Sequence, residues 1–342
     1  MGALVPGIEV GVFLPTFCGP GEVNGEKIAS FARRAEDLGF DSLWATDHLL
    51  QGSLFYAVPW LDPLLSLAFA AAVTSRTRLG TSILVIPLRH PVALAKDIAT
   101  MALLTGDRFI LGVGTGWDPR EFEALGLRKR DRGPRTDESL ELIRRLLGGG
   151  PIEHRGRFFE VHGAKIGPAA GQPLTVWAAG GQQLARPESP EPPTLAPAVL
   201  ERIAGADGWI ARPTATVEQI VEDADRILDR VGSAGRDPGR FTIAHENFLH
   251  FVDTDDPAVA SSEQRRAFAA VMGTRRPFEY FEAVYLTGTR MQIVEKVRQR
   301  LRAGVRHLLL HTLEPSTRQI EQWAERLFPV LVAEPAADGV DT

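Results

Sequence analysis

The 342-residue chain contains a single cysteine, Cys18. One cysteine cannot form an intrachain disulfide, and zinc sites built from several thiolates need more than one. The composition therefore excludes a disulfide framework and a cysteine-based zinc centre, so other interactions must hold the fold together.

An excess of positive charge and long apolar runs are also missing. The net charge is −5 at pH 7, whereas proteins that bind nucleic acid or anionic membranes need cationic surfaces. No apolar stretch reaches the roughly 20 residues of a membrane span, and no signal-peptide pattern begins the chain. We therefore expect a cytoplasmic protein that acts on a small-molecule substrate, with no nucleic acid and no membrane as partner.

What the chain does contain is an apolar run that passes into a glycine loop, RFILGVGTGW at 108–117. The run has strand character, and Gly114-Thr115-Gly116 would let backbone N–H groups come close to another molecule. This pattern indicates a ligand loop at the end of a buried strand.

Strand-like runs alternate with amphipathic helices along the rest of the chain. Strands are predicted at 8–14, 41–45, 79–86, 108–113, 174–178, 208–211, 241–251 and 307–311. Helices are predicted at 25–38, 63–74, 92–104, 136–147, 198–204, 217–231, 290–303 and 317–332.

Three segments interrupt this alternation, after the fourth, fifth and seventh strands: a hairpin at 152–165, a Pro- and Glu-rich loop at 182–197 and an irregular helical insertion at 264–285. Eight strand–helix units predict an α/β fold, a single (β/α)8 TIM barrel over residues 1–334 with a disordered tail at 335–342. A doubly wound open sheet is the alternative, but the glycine-rich turn that it requires after the first strand is missing.

Chemistry in such barrels takes place at the carboxyl ends of the strands. Small and polar residues occupy these ends here: Thr46, Asp47, His48, Thr81, Ser82, Thr115, Gly116, Trp117, Gly180, Gly181, Arg212, His245, Glu246, Asn247, His311 and Thr312. His48, His245 and His311 could converge on a metal, but three such residues among eight histidines arise easily by chance, and we predict no metal site. No serine nucleophile elbow is present either. The set suits a large, planar, phosphate-bearing cofactor.

Several motifs resemble the bacterial-luciferase-like superfamily in order and spacing. They are DSLWATDH at 41–48, LGTSILV at 79–85, RHP at 89–91, GVGTGW at 112–117, RGPRTDE at 132–138, GRFF at 156–159 and ADGW at 206–209. The resemblance extends over residues 8–330 and is strongest to the branch that uses the deazaflavin coenzyme F420. It implies a TIM-barrel oxidoreductase that uses F420, or alternatively FMN, and that is often a homodimer.

The resemblance assigns catalytic roles to the pair after the second strand. Asp47 would hydrogen-bond the cofactor, and His48 would be a donor or general acid beside the reacting carbon. Alternatively, Asp47 caps a loop and His48 is a structural histidine.

Further positions would bind the cofactor. By resemblance, a cis peptide bond joins Ser82 and Ile83 behind the ring, in the motif that ends at Val85. Thr115 and Gly116 would contact the cofactor through their backbone, and Gly180, Gly181 and Gln182 would present amides to its phosphate. The loop then departs from the family pattern, because a Pro- and Glu-rich insert follows, in which Arg186 could supply a charge.

Trp117 stands where relatives that oxidise a sugar phosphate have a glutamate base, so that activity is not expected here. Trp117 would instead line an apolar substrate pocket with Phe55, Tyr56 and Trp60, although aromatic residues in a loop could equally form a dimer contact. His245 and Asn247, on one face of the seventh strand, are further candidates for this pocket.

The resemblance thus implies an enzyme that uses F420 or reduced flavin for hydride transfer or oxygenation of a small, partly apolar organic substrate. A first alternative is an FMNH2-dependent monooxygenase that forms a peroxyflavin, with the reduced cofactor supplied by a separate reductase. A second alternative is a non-catalytic barrel with a degenerate cofactor site.

Overall fold

A computed structural model describes residues 4–17, 23–52, 55–167, 173–182 and 194–333. Its strands in chain order are β1 (Glu9–Phe13), β2 (Ser42–Ala45), β3 (Arg78–Thr81), β4 (Leu84–Val85), β5 (Phe109–Gly114), β6 (Ile152–Arg155), β7 (Glu160–Ala164), β8 (Thr175–Gly180), β9 (Gly208–Ala211), β10 (Thr242–Phe248) and β11 (His307–His311).

All strands except β6 and β7 form one parallel sheet in the order β3-β2-β1-β11-β10-β9-β8-β5-β4. The sheet closes because β3 also pairs with β5, with Leu79 opposite Phe109 and Gly80 opposite Ile110. The predicted (β/α)8 barrel is therefore confirmed. Its third position holds two short strands, β3 and β4, because the predicted strand 79–86 is interrupted at the cis peptide bond between Ser82 and Ile83.

Helices surround the barrel: α1 (Gly25–Leu38), α2 (Pro63–Ala71), α3 (Pro91–Thr105), α4 (Pro119–Ala124), α5 (Arg132–Leu147), α6 (Pro197–Ala204), α7 (Val217–Ser233), α8 (Pro257–Met272), α9 (Phe278–Val284), α10 (Arg290–Arg302), α11 (Arg318–Gln322) and α12 (Phe328–Ala333). A π-helical turn, Trp323–Leu327, joins the last two. The short α4 was not predicted. The insertion predicted as irregular is two regular helices, α8 and α9. No helix in the described ranges is both long and apolar enough to span a bilayer.

The local signals that predicted α1 act as expected. Asn24 caps its first turn by accepting a hydrogen bond from the Lys27 N–H at 3.0 Å. Gly39 ends the helix with φ of 93°, a left-handed conformation that glycine adopts without strain. The face formed by Ile28, Phe31 and Ala35 is buried against the barrel.

The barrel interior is filled by large side chains that point inward from successive strands. This inner cluster consists of Phe13, Trp44, Ile110, Trp177, Ile210, Ala244 and Leu309. Trp44 takes so much space that a Cβ atom on Gly11 or Gly80 would come within 2.3 Å of its ring. Glycine at these two positions is therefore a packing requirement of the barrel.

The helical insertion covers the carboxyl-terminal mouth of the barrel. Phe268 of α8 and Phe281 of α9 stack at 5.3 Å and pack with Phe248 and Tyr285 in one buried cluster. The hairpin predicted at 152–165 is present as β6 and β7. Cys18, Arg186, most of the Pro- and Glu-rich loop and the predicted disordered tail lie outside the described residues.

Glu36 at the end of α1 holds the opposite, amino-terminal end of the barrel. Its carboxylate accepts hydrogen bonds from the backbone N–H groups of Ser75, Arg76 and Thr77, the segment that leads into β3. Burial opposes ionisation of Glu36, but these backbone donors outweigh it and lower the pKa of Glu36 to about 2.

We expect Glu36→Gln to lower the free energy of unfolding at pH 7 by about 1 kcal/mol, because an amide accepts these bonds more weakly. Because the folded-state pKa is depressed, the contribution of Glu36 is present above pH 4.5 and disappears as the pH falls towards 2. The variant should therefore show a shallower loss of stability across that window in urea titrations. Asp37→Asn, a change at the exposed neighbouring position, is the control. If Glu36→Gln and the parent protein lose the same free energy of unfolding as the pH falls through this window, the result would contradict this role.

Candidate active site

A cavity of about 250 Å³ opens at the carboxyl ends of the barrel strands. Its wall contains most of the predicted catalytic and cofactor-binding residues: Asp47, His48, Ser82, Ile83, Val85, Thr115, Gly116 and Gly180. Apolar side chains, among them Ile210, and polar ones, among them Thr46, Arg212 and Glu246, complete the wall. The structure thus brings strand ends that are far apart in sequence into one site.

Asp47 is buried and acts as a link between chain segments. Its Oδ2 atom accepts the Val85 N–H at 2.8 Å, and its Oδ1 atom accepts Arg89 Nη2 at 3.1 Å. Burial raises the pKa of Asp47, while the Arg89 guanidinium opposes that rise. Arg89 lies in the motif RHP but was not predicted as a site residue. The carboxylate therefore fixes the wall of the cavity, as the loop-capping alternative expects, and its contact with a cofactor stays a prediction.

His48 lies in the cavity wall with one ring nitrogen already engaged. Its Nδ1 atom is 3.3 Å from Glu121 Oε1, and the same oxygen accepts the Leu49 N–H at 2.8 Å. Because an ionised carboxylate can only accept hydrogen bonds, a neutral His48 in this contact would carry its proton on Nδ1. The Nε2 atom is then the ring nitrogen that remains to accept or donate a proton.

Glu121 is a site residue that was not predicted from the sequence. It belongs to α4, the helix that was not predicted, and only 1% of its surface is exposed. Asp118 caps that helix by accepting the Arg120 N–H at 3.0 Å, which sets the position of the first turn. A signal was present, since Asp118-Pro119 followed by acidic residues is typical of a helix start.

A third buried carboxylate of the cavity wall, Glu246 of β10, connects this strand to Ser82 and to His311 of β11. It accepts Ser82 Oγ at 2.6 Å and contacts His311 Nε2 at 2.9 Å. The His311 ring is stacked between Phe13 at 3.4 Å and Phe248 at 4.1 Å. Burial lowers the pKa of His311.

The assignment of His245 and Asn247 to the substrate pocket is wrong. Side chains alternate along β10, and it is Ala244 and Glu246 that point into the barrel. His245 points to the helical layer, where its Nδ1 atom accepts Arg300 Nε at 3.2 Å. His245 therefore cannot join His48 and His311 around a metal.

Asn247 links the chain segments beside β10. Its Oδ1 atom accepts the N–H groups of Phe248 and Leu286, each at 2.9 Å. Its Nδ2 atom donates to the carbonyl oxygens of Pro213 and Val284, each at 3.3 Å. The residue is fully buried and satisfied by the protein itself, so its role is structural.

The predicted phosphate loop is only partly supported. Gly180 lines the cavity, but the Gln182 N–H donates to Asp223 Oδ2 at 2.8 Å and its side chain donates to Glu222 Oε2 at 2.7 Å. Two carboxylates beside Gln182 would repel a phosphate, so Gln182 does not fit its predicted role. A phosphate role for Gly181 stays a prediction.

The glycines of the ligand loop are also required by packing, while their close approach to a ligand stays a prediction. A Cβ atom on Gly114 would come within 2.5 Å of Ile83, and one on Gly116 within 2.6 Å of Val85. These glycines make room for the side chains that follow the cis peptide bond. They shape the wall through packing within the protein.

An aromatic chamber of about 150 Å³ adjoins the cavity and shares Tyr56, Trp117 and Pro213 with it. Phe55 packs edge to face on Trp117 with ring centroids 4.4 Å apart. Trp60 is not part of either lining; it lies behind Tyr56 at 5.3 Å and supports His48 at 6.0 Å. The aromatic residues thus form an internal chamber, which favours the pocket over the dimer contact for Phe55 and Trp117.

The cavity fits a flat ring system with polar edges. Ile83, Val85 and Ile210 offer an apolar surface. Thr46 in the same wall is buried, and its Oγ1 atom finds no hydrogen-bond partner within the described part of the chain. A ligand with polar groups at its rim would satisfy that atom.

Asn247→Ala should reduce the stability of the protein without changing its affinity for ligands of the cavity. Removing a buried side chain that satisfies four backbone groups should cost about 2–4 kcal/mol in urea denaturation. Asn24→Ala, which removes an exposed helix cap, is the matched control and should cost about 1 kcal/mol. A stable Asn247→Ala protein with weakened ligand binding would return Asn247 to the pocket.

Comparison with known proteins agrees with this fold. The chain is 29% identical over 338 residues to the F420-dependent glucose-6-phosphate dehydrogenase of Amycolatopsis mediterranei, covering 90% of this chain and 94% of the relative. Among solved structures, an F420-dependent secondary alcohol dehydrogenase in complex with an F420–acetone adduct superposes with a TM-score of 0.76 at 18% identity, over 95% and 99% of the two chains.

A second solved structure has the same fold. It is the oxygenating constituent of 3,6-diketocamphane monooxygenase from Pseudomonas putida in complex with FMN, with a TM-score of 0.69, 17% identity and coverage of 94% and 98%. The family model for luciferase-like monooxygenases matches residues 8–188, more than half of this chain. The chain therefore belongs to the luciferase-like monooxygenase family of oxidoreductases.

Proposed function

We propose that this protein is an F420-dependent oxidoreductase that transfers a hydride between the cofactor and a small, partly apolar alcohol or carbonyl compound. The observation that carries the proposal is the position of His48: it lies in the cavity wall, its ring contacts Trp117 of the aromatic chamber, and its Nδ1 atom is held by Glu121. That arrangement orients one proton-transferring atom towards bound molecules.

The cavity wall supplies the residues that would hold the cofactor. Ile83 and Val85 would contact the ring, the backbone at Thr115 and Gly116 would bound its edge, and Arg212 would contribute a positive charge. Arg212 is oriented by Gln219, whose Oε1 atom accepts Arg212 Nη2 at 2.8 Å. When bound, F420 would supply the hydride acceptor in its oxidised form or the hydride donor in its reduced form.

His48 would handle the accompanying proton. In the direction of alcohol oxidation, the Nε2 atom would accept the hydroxyl proton, while the carbon that bears the hydroxyl would lose its hydrogen as a hydride to the bound acceptor and become a carbonyl carbon. The resulting imidazolium would be stabilised by Glu121 across the 3.3 Å contact. In the direction of reduction, His48 would return the proton to the carbonyl oxygen.

The aromatic chamber supports an apolar substrate. The ring centroids of Trp117 and His48 lie 5.6 Å apart. At this position the indole would exclude water from the reacting groups, and it cannot act as an acid or base. Glucose 6-phosphate, the substrate in the name of the relative from Amycolatopsis mediterranei, is not proposed for this chain. The reason is that Trp117 replaces the glutamate base that the resemblance associates with sugar-phosphate oxidation.

The competing function is oxygenation with reduced FMN. The family description and the FMN complex of the Pseudomonas putida protein support it. It would require a separate reductase to deliver the reduced flavin. The identity of the cofactor separates the two functions.

Titration of the purified apo-protein with F420 and with FMN tests the cofactor. We expect the fluorescence of F420 to change saturably at micromolar concentrations, and FMN to bind at least about tenfold more weakly, a difference of about 1.4 kcal/mol. Tighter binding of FMN would favour the oxygenase, and binding of neither would reject both functions.

Replacement of His48 tests its role in proton transfer. We expect His48→Ala to keep the dissociation constant for F420 within about twofold and to lower kcat by roughly 10²–10³. Glu121→Gln should lower kcat less, because His48 remains but is less well oriented. Stopped-flow measurement of F420 reduction gives both quantities. Unchanged turnover in His48→Ala would reduce His48 to a structural residue.

A further inference from the structure

The aromatic chamber contains two guanidinium groups that the proposed reaction does not use. Arg275 and Arg276 lie on the segment between α8 and α9, and both line the chamber beside Phe55, Trp117 and Tyr280. The protein as a whole carries a net charge of −5, so two neighbouring cations that line this chamber, Arg275 exposed and Arg276 half-buried, call for an explanation.

Arg276 is held in place by aromatic rings. Its guanidinium carbon lies 3.9 Å from the centroid of Phe55 and 4.6 Å from the centroid of Tyr280. Stacking orients the planar guanidinium and leaves its N–H groups, which lie in the plane, for an acceptor.

Neither arginine is neutralised by a carboxylate within the described part of the chain. The nearby Glu279 pairs instead with Arg265, at 3.3 Å. The acids of the adjoining cavity are also engaged elsewhere: Glu121 with His48 and Glu246 with His311. The chamber therefore offers positive charge that no carboxylate of the described residues pairs with, and it shares with the cavity Tyr56 and Trp117, whose rings contact His48.

We infer that the substrate is a flat, apolar molecule that carries a carboxylate, and that Arg276, assisted by Arg275, binds this group. The inference rests on the proposed function, since it places the reacting carbinol or carbonyl carbon towards His48. A carboxylate matches the fork of a guanidinium, and the aromatic walls match a flat body. The chamber volume of about 150 Å³ is small beside the roughly 300 Å³ or more of pockets for drug-sized ligands, which limits the substrate to a small acid.

An anionic group on the cofactor is the other source of the same chemistry. A cofactor anion would make Arg276 a determinant of cofactor affinity, whereas a substrate carboxylate would make it a determinant of substrate selectivity. Binding and kinetic measurements on the same variants separate the two.

The test compares 4-(1-hydroxyethyl)benzoate with 1-phenylethanol, which differ in the carboxylate alone. In the parent protein we expect kcat/KM to be at least about tenfold higher for the acid than for 1-phenylethanol. Without cofactor, we expect the acid to quench tryptophan fluorescence and 1-phenylethanol to leave it unchanged. Arg276→Gln should abolish that preference through KM, Arg276→Lys should restore part of it, and Arg275→Gln should have a smaller effect. Arg265→Gln is the control, because Arg265 pairs with Glu279 outside the chamber.

Three outcomes overturn the inference. Equal use of both alcohols by the parent protein, or an unchanged preference in Arg276→Gln with an unaltered melting temperature, removes the carboxylate site. Loss of F420 affinity in Arg276→Gln with unaltered binding of the acid assigns the arginine to the cofactor. If F420 does not bind but quenching by the acid depends on Arg276, the proposed function fails while the carboxylate site stands.

Discussion

The buried carboxylate of Asp47 joins the parts of the chain from which the cavity wall is built. It comes directly after β2, accepts the N–H of Val85 in β4 and pairs with Arg89 just before α3. Arg89 in turn reaches Asp62, the residue that caps α2. A buried carboxylate without these partners would cost several kcal/mol, so the segments are held in one arrangement. The neighbouring His48 and the wall around Ile83 take their positions from it.

The site has two regions with different chemistry. The inner cavity has an apolar surface bordered by paired acids and by His48, which suits a flat redox cofactor and controlled proton transfer. The outer chamber is aromatic and carries Arg275 and Arg276. Tyr56 and Trp117 contribute to both, so a substrate in the outer chamber would contact the boundary of the inner one. The substrate would then be oriented by the contacts of one end with the outer chamber and of the other end with the boundary of the inner cavity.

The barrel was predictable because hydrophobic periodicity and turn residues act locally, and α1, β9 and β11 were placed with their observed bounds. The strand-end positions also located Asp47 and His48, and the family resemblance located the cis bond between Ser82 and Ile83. The sequence did not predict which face of β10 points into the barrel. Its consecutive polar residues His245, Glu246 and Asn247 are all buried, so alternation alone does not say which of them faces inward. Arg276 was missed because its stacking partner Phe55 lies more than 200 residues away in sequence. Such contacts depend on packing of the α8–α9 insertion over the barrel.

The most direct test of the central claim is a crystal structure of the protein with oxidised F420. The account predicts that the deazaflavin ring lies against Ile83 and Val85, with the His48 Nε2 atom facing the region between the ring and the aromatic chamber. A ring bound elsewhere, or a His48 side chain turned away from it with its Glu121 contact broken, would contradict the account.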